Sequence, residues 1–476
     1  MTAVPEPGPI VLSAAKNESI SLLLQCAPPA GATHLQLPRL VSGNSILDFQ
    51  RMKVYQVLPV PVDVNRAGFV RHTGLPGTVG TLPRALLPMA ADDGRVPLDR
   101  LRDPRAPRDP ARKGVGSGET LLLWIDINIP TETPAGAYAG VVNVVNGGST
   151  LASVPVQLQI LDFVLPDTRH LTMVGNIGWD SLRKHWPDRF EVIRPSLLNR
   201  TDPKQQAAVR TLDELMTIAQ SHRVQIHVPR LQPTVKFHSG RPPEIDWSDF
   251  DSIVAPWLDG SAFADRVPIG FWGLPKIDYL DNAPVAARLE YYGAAASHFD
   301  QRDWLRRAPV ELAKASPGRA TLPERLLLSA EANRAMSAHP RLRVRLPLEL
   351  DELQLADSNN PTLVDPGNTA RLECVAPGLI SSSLARTWPS ELQIPETWMR
   401  TDLSGLIPYA GAGGDEADVR VWAWASFLRR AKTVRWDQCL PTVTAADEPA
   451  DPADLTWFYP GAWFGVDEVV PTVQLK

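Results

Sequence analysis

A chain of 476 residues is long enough for two or three domains with a sizeable core. With 48 basic against 53 acidic residues, a net charge of −5 and a pI near 6.0, it carries no basic field that would draw it to nucleic acid. Cys26, Cys374 and Cys439 stand far apart with no CxxC, so their spacing encodes neither a zinc site nor a disulfide framework.

No apolar run approaches the roughly 20 residues that span a bilayer. Residues 1–10 lack the basic start and apolar segment of a signal peptide. The chain stops at VQLK, which reads as the middle of a structured segment, so a fragment of a longer protein is expected. Residues 10–25 read as a strand passing from an edge towards the core, and 35–41 and 52–60 as further strands. Residues 101–118 are rich in Arg, Pro, Asp and Gly and are expected as a solvated loop. The stretch 121–168 organises what surrounds it. Residues 121–129 alternate poorly but are strongly apolar, as a buried strand is. Pro134, Ala135 and Gly136 make a turn, 138–145 a second strand, 146–148 a hairpin and 154–163 a third strand. Leu165, Pro166 and Asp167 then stop the sheet.

From His170 short apolar runs alternate with helical segments, a β/α signature. Strands are expected at 170–177, 224–228, 267–274, 308–312, 342–350, 371–375, 405–409 and 433–437. Helices are expected at 203–221, 284–299, 323–337 and 415–432, and 237–266 reads as a long insertion. If eight such units close into a barrel, chemistry sits at the C-terminal ends of the strands. That rule selects Trp179, Asp180, His227, Arg230, Trp272, Glu311, Asp351, Glu352, Tyr409, Trp436 and Asp437.

Leu123, Trp124, Asp126, Pro130, Thr133, Pro134, Gly136, Tyr138 and Gly140, followed by Asp162, Phe163, Leu165 and Pro166, form a pattern. It resembles the junction between domains in glycoside hydrolase family 123, the β-N-acetylgalactosaminidase family, and in its uncharacterised relatives. Asn17-Glu18, YQVLPVPVD at 55–63 and LPRALLP at 82–88 are similar to the same family's sandwich. EADVR at 416–420, WAW at 422–424, RWD at 435–437 and FYPG at 458–461 are similar to its C-terminal part. Together these stretches cover about a third of the chain. The resemblance implies an N-terminal immunoglobulin-like β-sandwich over residues 1–166 and a (β/α)8 TIM-like barrel over 170–476, cut short at its C-terminus. It also implies action on a glycan, N-acetylhexosamine-containing glycans included. Relatives are often exported, while the compartment of this chain is left open.

Sugar hydrolysis usually needs two carboxyls, one to protonate the leaving oxygen and one as nucleophile or base. A substrate with a 2-acetamido group replaces the nucleophile with its own carbonyl. Family 123 works in this way and uses an adjacent Asp-Glu pair on a strand end. Here the sequence departs from the family: residues 308–312 read APVEL, with Val310 where the Asp would stand and nothing local to pair with Glu311. Of five Asp-Glu dipeptides, Asp213-Glu214 lies within a helix, Asp415-Glu416 starts one, and Asp447-Glu448 and Asp467-Glu468 lie in loops. Asp351-Glu352 is the best placed, because it follows the apolar run 342–350, although acidic pairs usually lie in solvent.

The catalytic candidates are therefore Glu311, Asp351, Glu352 and Asp437. Trp179, Asp180, Arg230, Trp272, Tyr409 and Trp436 are the candidates for binding, since aromatic rings stack on the apolar faces of sugars. The nine histidines do not cluster, and HExxH, GxSxG, Walker A and GxGxxG are missing from any suitable context, so no metal or cofactor is expected. The expected partner is carbohydrate, with no nucleic acid or membrane; the oligomeric state is not encoded. Two readings stand: a glycoside hydrolase acting through carboxylates at the barrel mouth, and a catalytically degenerate glycan-binding or scaffold protein. Convergence of two carboxylates within about 10 Å in an aromatic-lined cleft favours the first. Carboxylates facing arginines or bulk water favour the second.

Overall fold

The computed structural model describes residues 8–63, 79–114, 120–238, 241–277, 280, 283–312, 321–347, 372–376, 396–400, 431–436, 439–441 and 456–476. The first strand expected from the sequence is two strands, β1 (Ile10–Lys16) and β2 (Glu18–Cys26). They are divided at Asn17, whose φ of 62° lies in the left-handed region that Asn tolerates. The Asn17 amide donates to Leu165 O and Asp167 Oδ1, both at 2.8 Å. This corner carries the chain from one sheet to another.

The next elements are short β3 (His34–Gln36), β4 (Leu40–Ser42) and β5 (Ser45–Leu47), long β6 (Met52–Asp63) and β7 (Val79–Met89), and β8 (Arg95–Pro97). Then come β9 (Leu121–Ile129), β10 (Gly136–Asn146) and β11 (Ser149–Val164). One sheet runs β1-β11-β10-β3-β8, with β4 and β5 attached to β10; the other runs β2-β9-β6-β7. All pairs are antiparallel except β1 with β11. Side chains of both sheets meet in one core. In β9 the odd positions Leu121, Leu123, Ile125, Ile127 and Ile129 are all wholly buried there. Each such side chain contributes about 1.5–3 kcal/mol. The poor alternation of β9 has a simple cause: its other face is covered too. Leu122 and Trp124 pack with Tyr55, Val57, Leu86 and Val473.

Several residues of the family-like pattern hold this region together. The Tyr138 hydroxyl donates to Pro134 O (3.0 Å) across the turn. A Cβ at Gly140 would lie 2.7 Å from Arg39 O, so only glycine lets β10 approach that backbone. Asp126 accepts from Ser21 Oγ (2.7 Å), Trp124 Nε1 (2.7 Å) and Lys476 Nζ (2.6 Å). Arg102 and Gln56 tie the loop after β8 to β6 by a mutual pair of 2.8 Å bonds, so one arginine of the expected solvated loop is buried.

The second half contains β12 (Thr172–Asn176), α1 (Trp179–His185), α2 (Pro187–Phe190), α3 (Gln206–Ser221) and β13 (Gln225–His227). The hairpin β14 (Thr234–His238) and β15 (Arg241–Asp246) follows, then α4 (Ser248–Leu258), α5 (Val285–Gln301), β16 (Val310–Glu311), α6 (Leu322–Ala338) and β17 (Val344–Leu346). β18 (Leu372–Ala376), β19 (Glu396–Arg400), β20 (Ala431–Trp436), β21 (Phe458–Tyr459) and β22 (Val470–Pro471) complete the chain. Seven strands form a curled parallel sheet in the order β13-β12-β20-β19-β18-β17-β16. The expected strand at 267–274 is an extended segment without a ladder. Gly270 and Phe271 N–H donate to Gln225 Oε1 of β13 (2.9 and 3.2 Å). Trp272 and Leu274 N–H donate to Arg307 O and Pro309 O, just before β16 (both 2.9 Å). Flanking Pro268 and Pro275 and internal Gly270 and Gly273 explain why a regular strand does not form.

One strand, β19 (Glu396–Arg400), was not expected, because ETWMR has charged ends and no apolar run to announce it; the expected strand at 405–409 lies outside the described residues. The expected helix 415–432 lies outside the described residues except at 431–432, which begin β20. The insertion 237–266 holds the end of a hairpin and α4. Helices pack on the sheet through a core that includes Trp186, Trp257, Trp272, Trp304, Phe190 and Phe299.

Candidate functional site at the strand ends

Parallel packing brings the last residues of several strands together. Asn176 closes β12, His227 closes β13, Glu311 closes β16, and Arg345 and Arg435 lie in β17 and β20. Glu311 Oε1 accepts from Arg435 Nη1 at 2.7 Å and meets Arg345 Nη2 at 3.0 Å. The three side chains are only 19%, 11% and 10% exposed respectively. Burial alone would raise the Glu311 carboxyl. The two guanidiniums, Arg345 and then Arg435, outweigh it and hold the group at about 2.

The Asn176 amide orients the next layer. With the amide turned so that its oxygen faces the Arg435 donors, that oxygen accepts from Arg435 Nε (2.6 Å) and Nη2 (2.5 Å), and the nitrogen donates to His227 Nδ1 (3.3 Å). His227 Nδ1 is thus an acceptor and the ring proton sits on Nε2. Burial lowers the His227 imidazole to about 3, against the pull of Glu311 and with the help of both arginines, so the ring is neutral at ordinary pH. Phe271 and Trp272 set their rings edge-on to it, each 5.1 Å away between centroids. A Cβ at Gly273 would stand 3.1 Å from His227 Cε1 and 3.4 Å from Glu311 Cγ, so glycine there keeps the extended segment close to the cluster.

Chemically this is an ionised carboxylate clamped by two cations beside a neutral imidazole. It orients donors and holds fixed charge; at neutral pH Glu311 has no proton to give. Among the described residues no group of three or more His, Cys, Asp or Glu is placed to hold a metal ion. No described helix is long and apolar enough to cross a membrane. Cys26 and Cys439 are free thiols.

Of the other candidates, Trp179, Trp272 and Trp436 are 4%, 1% and 5% exposed, so none offers a bare ring face. Trp179 donates to Ile193 O (3.2 Å) and meets Phe190 edge-on; Trp272 packs on Trp257 and Trp436 on Trp457. Asp180 is exposed in the first turn of α1, 3.8 Å from Arg183, and Arg230 is exposed after β13. Asp351, Glu352, Tyr409 and Asp437 lie outside the described residues. Sequence reasoning passed over Asn176, Arg345 and Arg435. A signal existed for Arg345: an arginine at an inward position of the apolar run LRVRLPL demands a buried counter-charge.

No family model matches the chain, and no curated protein matches it. Among solved structures it is similar to a family 123 glycoside hydrolase from Clostridium perfringens, described in work on glycolipid glycan hydrolysis. The TM-score is 0.63 at 10% identity, over 98% of this chain and 81% of that one. This establishes likeness of fold to a glycoside hydrolase. A family 39 glycoside hydrolase from Bacteroides cellulosilyticus also matches, with a TM-score of 0.31 at 9% identity over 99% and 80% of the two chains.

Proposed function

We propose that this chain is a glycan-binding protein on a glycoside hydrolase fold, with its site at the C-terminal ends of the parallel strands. In this reading residues 1–166 form an immunoglobulin-like β-sandwich. Residues 170–476 form a (β/α)8-like barrel, in which the extended segment 269–274 takes the place of the third strand. The hydrogen bonds of that segment to Gln225 on one side and to the Arg307–Pro309 backbone on the other support closure. The observation that carries the functional reading is the Glu311 carboxylate between Arg345 and Arg435. A general acid needs a raised pKa, and this environment does the opposite. Arginine N–H groups and the Asn176–His227 pair are suited to the hydroxyl and carbonyl oxygens of a sugar.

The hydrolase reading is the second one, and likeness to the Clostridium enzyme favours it. The acid would then come from Asp351, Glu352 or Asp437, with Glu311 fixing the arginines. One experiment separates the two. Immobilised glycans that include N-acetylhexosamine-terminated chains are screened for binding, and aryl N-acetylhexosaminides and aryl hexosides are screened for turnover. The binding reading expects retention on a glycan subset, weakened by Arg435→Met, with no turnover. Turnover that disappears in Glu352→Gln would transfer the case to the hydrolase reading. Neither retention nor turnover would remove both.

A further inference from the structure

The inner face of the sheet built from β1, β11, β10, β4 and β5 fills the sandwich core, and its outer face stands in solvent. The strand registers lay one row straight across that outer face. Val11 of β1 is opposite Gln157 of β11, Gln157 opposite Ala139 of β10, Ala139 opposite Val41 of β4, and Val41 opposite Ile46 of β5. Val11, Val41 and Ile46 are 68%, 40% and 47% exposed, and Ala139 and Gln157 are exposed between them. The alternation of the strands adds Ser13, Gln159 and Ala137 as a row on one side, and Pro155 with Val141 on the other.

A solvated surface ordinarily carries about 25–35% charged residues. Lys16 and Asp162 are the only charged residues of these five strands, and they pair with each other at 2.7 Å, in a chain that is 21% charged. Loss of Lys, Glu and Asp with aliphatic area kept is the composition of an interface centre. The polar groups that remain can match themselves. Gln157 and Gln159 lie on the middle strand; an amide both donates and accepts, so it pairs with its own copy across a twofold axis. Ala137 and Ala139 beside them are short, which lets a second sheet approach to the usual spacing of about 10 Å. Other occupants fit less well. Lipid would leave the amides unsatisfied, a charged partner would meet no counter-charge, and a sugar would find no aromatic ring on these rows.

We propose that this face pairs with the same face of a second copy, forming a twofold homodimer. Five strands about 4.8 Å apart, with about nine residues along β11, span roughly 24 Å by 27 Å. Allowing for short β4 and β5, this gives about 600 Å² per copy and about 1,200 Å² for the pair, the lower end of the size of specific interfaces. An interface of that size without large anchoring side chains has a Kd on the order of 10 µM. The dimer shares no residue with the Glu311 cluster and stands or falls apart from it.

Sedimentation velocity of the full chain between about 1 and about 200 µM brackets that Kd. The mass should rise with concentration from 52.2 kDa towards twice that value. Because no charge takes part, the Kd should change less than about threefold between about 0.05 and about 0.5 M salt. Ala139→Arg, an exposed substitution on the central row, and Gln157→Glu, which sets like charges against each other, each raise the Kd at least about tenfold. Thermal unfolding followed by circular dichroism checks that both variants stay folded. Val192→Lys, which removes an apolar side chain 93% exposed on another part of the surface, leaves the Kd unchanged. A chain that stays monomeric throughout, whether or not it co-sediments with phosphatidylcholine vesicles, would overturn the proposal. So would a dimer indifferent to both face variants, or one weakened as much by Val192→Lys.

Discussion

Replacing Glu311 with Gln keeps the shape of the side chain and removes its charge. Arg345 and Arg435 then remain buried without their shared carboxylate. The fall of the Glu311 carboxyl from 4.5 to about 2 is worth about 3 kcal/mol in favour of the ionised form, at about 1.4 kcal/mol per pH unit. Breaking a buried pair by removing one partner costs about 3–5 kcal/mol, which agrees. A loss of about 3 kcal/mol at pH 7 is therefore expected. The sign of its pH dependence follows from the folded value lying below the unfolded one. The contribution is complete above about pH 4.5 and is lost as pH falls towards about 2. Urea unfolding followed by tryptophan fluorescence measures it, since Trp272, Trp304 and Trp436 report on this half of the chain. The gap between wild type and Glu311→Gln narrows from pH 7 to pH 3. A loss below about 1 kcal/mol at pH 7 would refute the buried clamp. So would a gap that stays constant on acidification.

Three further outcomes are expected. Gly175→Ala places a Cβ 2.1 Å from Cys439 Sγ and 2.5 Å from Trp457. Overpacking of this kind costs about 1–3 kcal/mol, read as a lower melting temperature that Cys439→Ala partly restores. Asp126 and Lys476 are buried together at 10% and 1% side-chain exposure. Burial would raise the Asp126 carboxyl, but Lys476 and the bonds to Ser21 and Trp124 bring it below its usual range. Their coupling in an Asp126→Asn, Lys476→Met double-mutant cycle should exceed about 1 kcal/mol at pH 7 and fade as pH falls from the ordinary carboxylate range through the depressed folded value of Asp126. The His227 ring, lowered to about 3, should show no titration of its NMR signals between pH 5 and 8. Because its folded value lies below the unfolded one, the burden of keeping it neutral grows as pH drops below about 6.5, and His227→Gln lessens that acid sensitivity.

Much of the architecture was legible because packing leaves periodic marks. The hairpin between β10 and β11, the long helix α3 and the positions of β12, β13, β16 and β18 follow from apolar runs and their turns. Where the sequence misled, the cause was local. Asn17 breaks a run that looks continuous, because a left-handed residue leaves no mark in hydropathy. β19 is missed because ETWMR has no apolar run, and 267–274 looks like a strand although its prolines and glycines deny it a ladder. The site was legible one residue at a time. Glu311 and His227 were marked by their place at strand ends. Arg345 and Arg435, which decide what Glu311 can do, come from strands 34 and 124 residues further along. The apolar neighbours of Arg345 signalled that it needs a buried counter-charge, but not which residue supplies it, because ion pairs across a parallel sheet join residues that only the register brings together. The tryptophans were chosen for their sugar-facing chemistry, yet burial in a tight core claims those that the structure describes.

The most direct test of the account is the ionisation of Glu311 itself. Carboxyl-labelled glutamate can be followed by carbon NMR through a titration, with the resonance assigned by its loss in Glu311→Gln. An ionised signal that does not move between pH 7 and 4 and approaches its midpoint only near 2 is expected. A midpoint at or above the ordinary 4.5 would contradict the clamp and return Glu311 to the role of a proton donor.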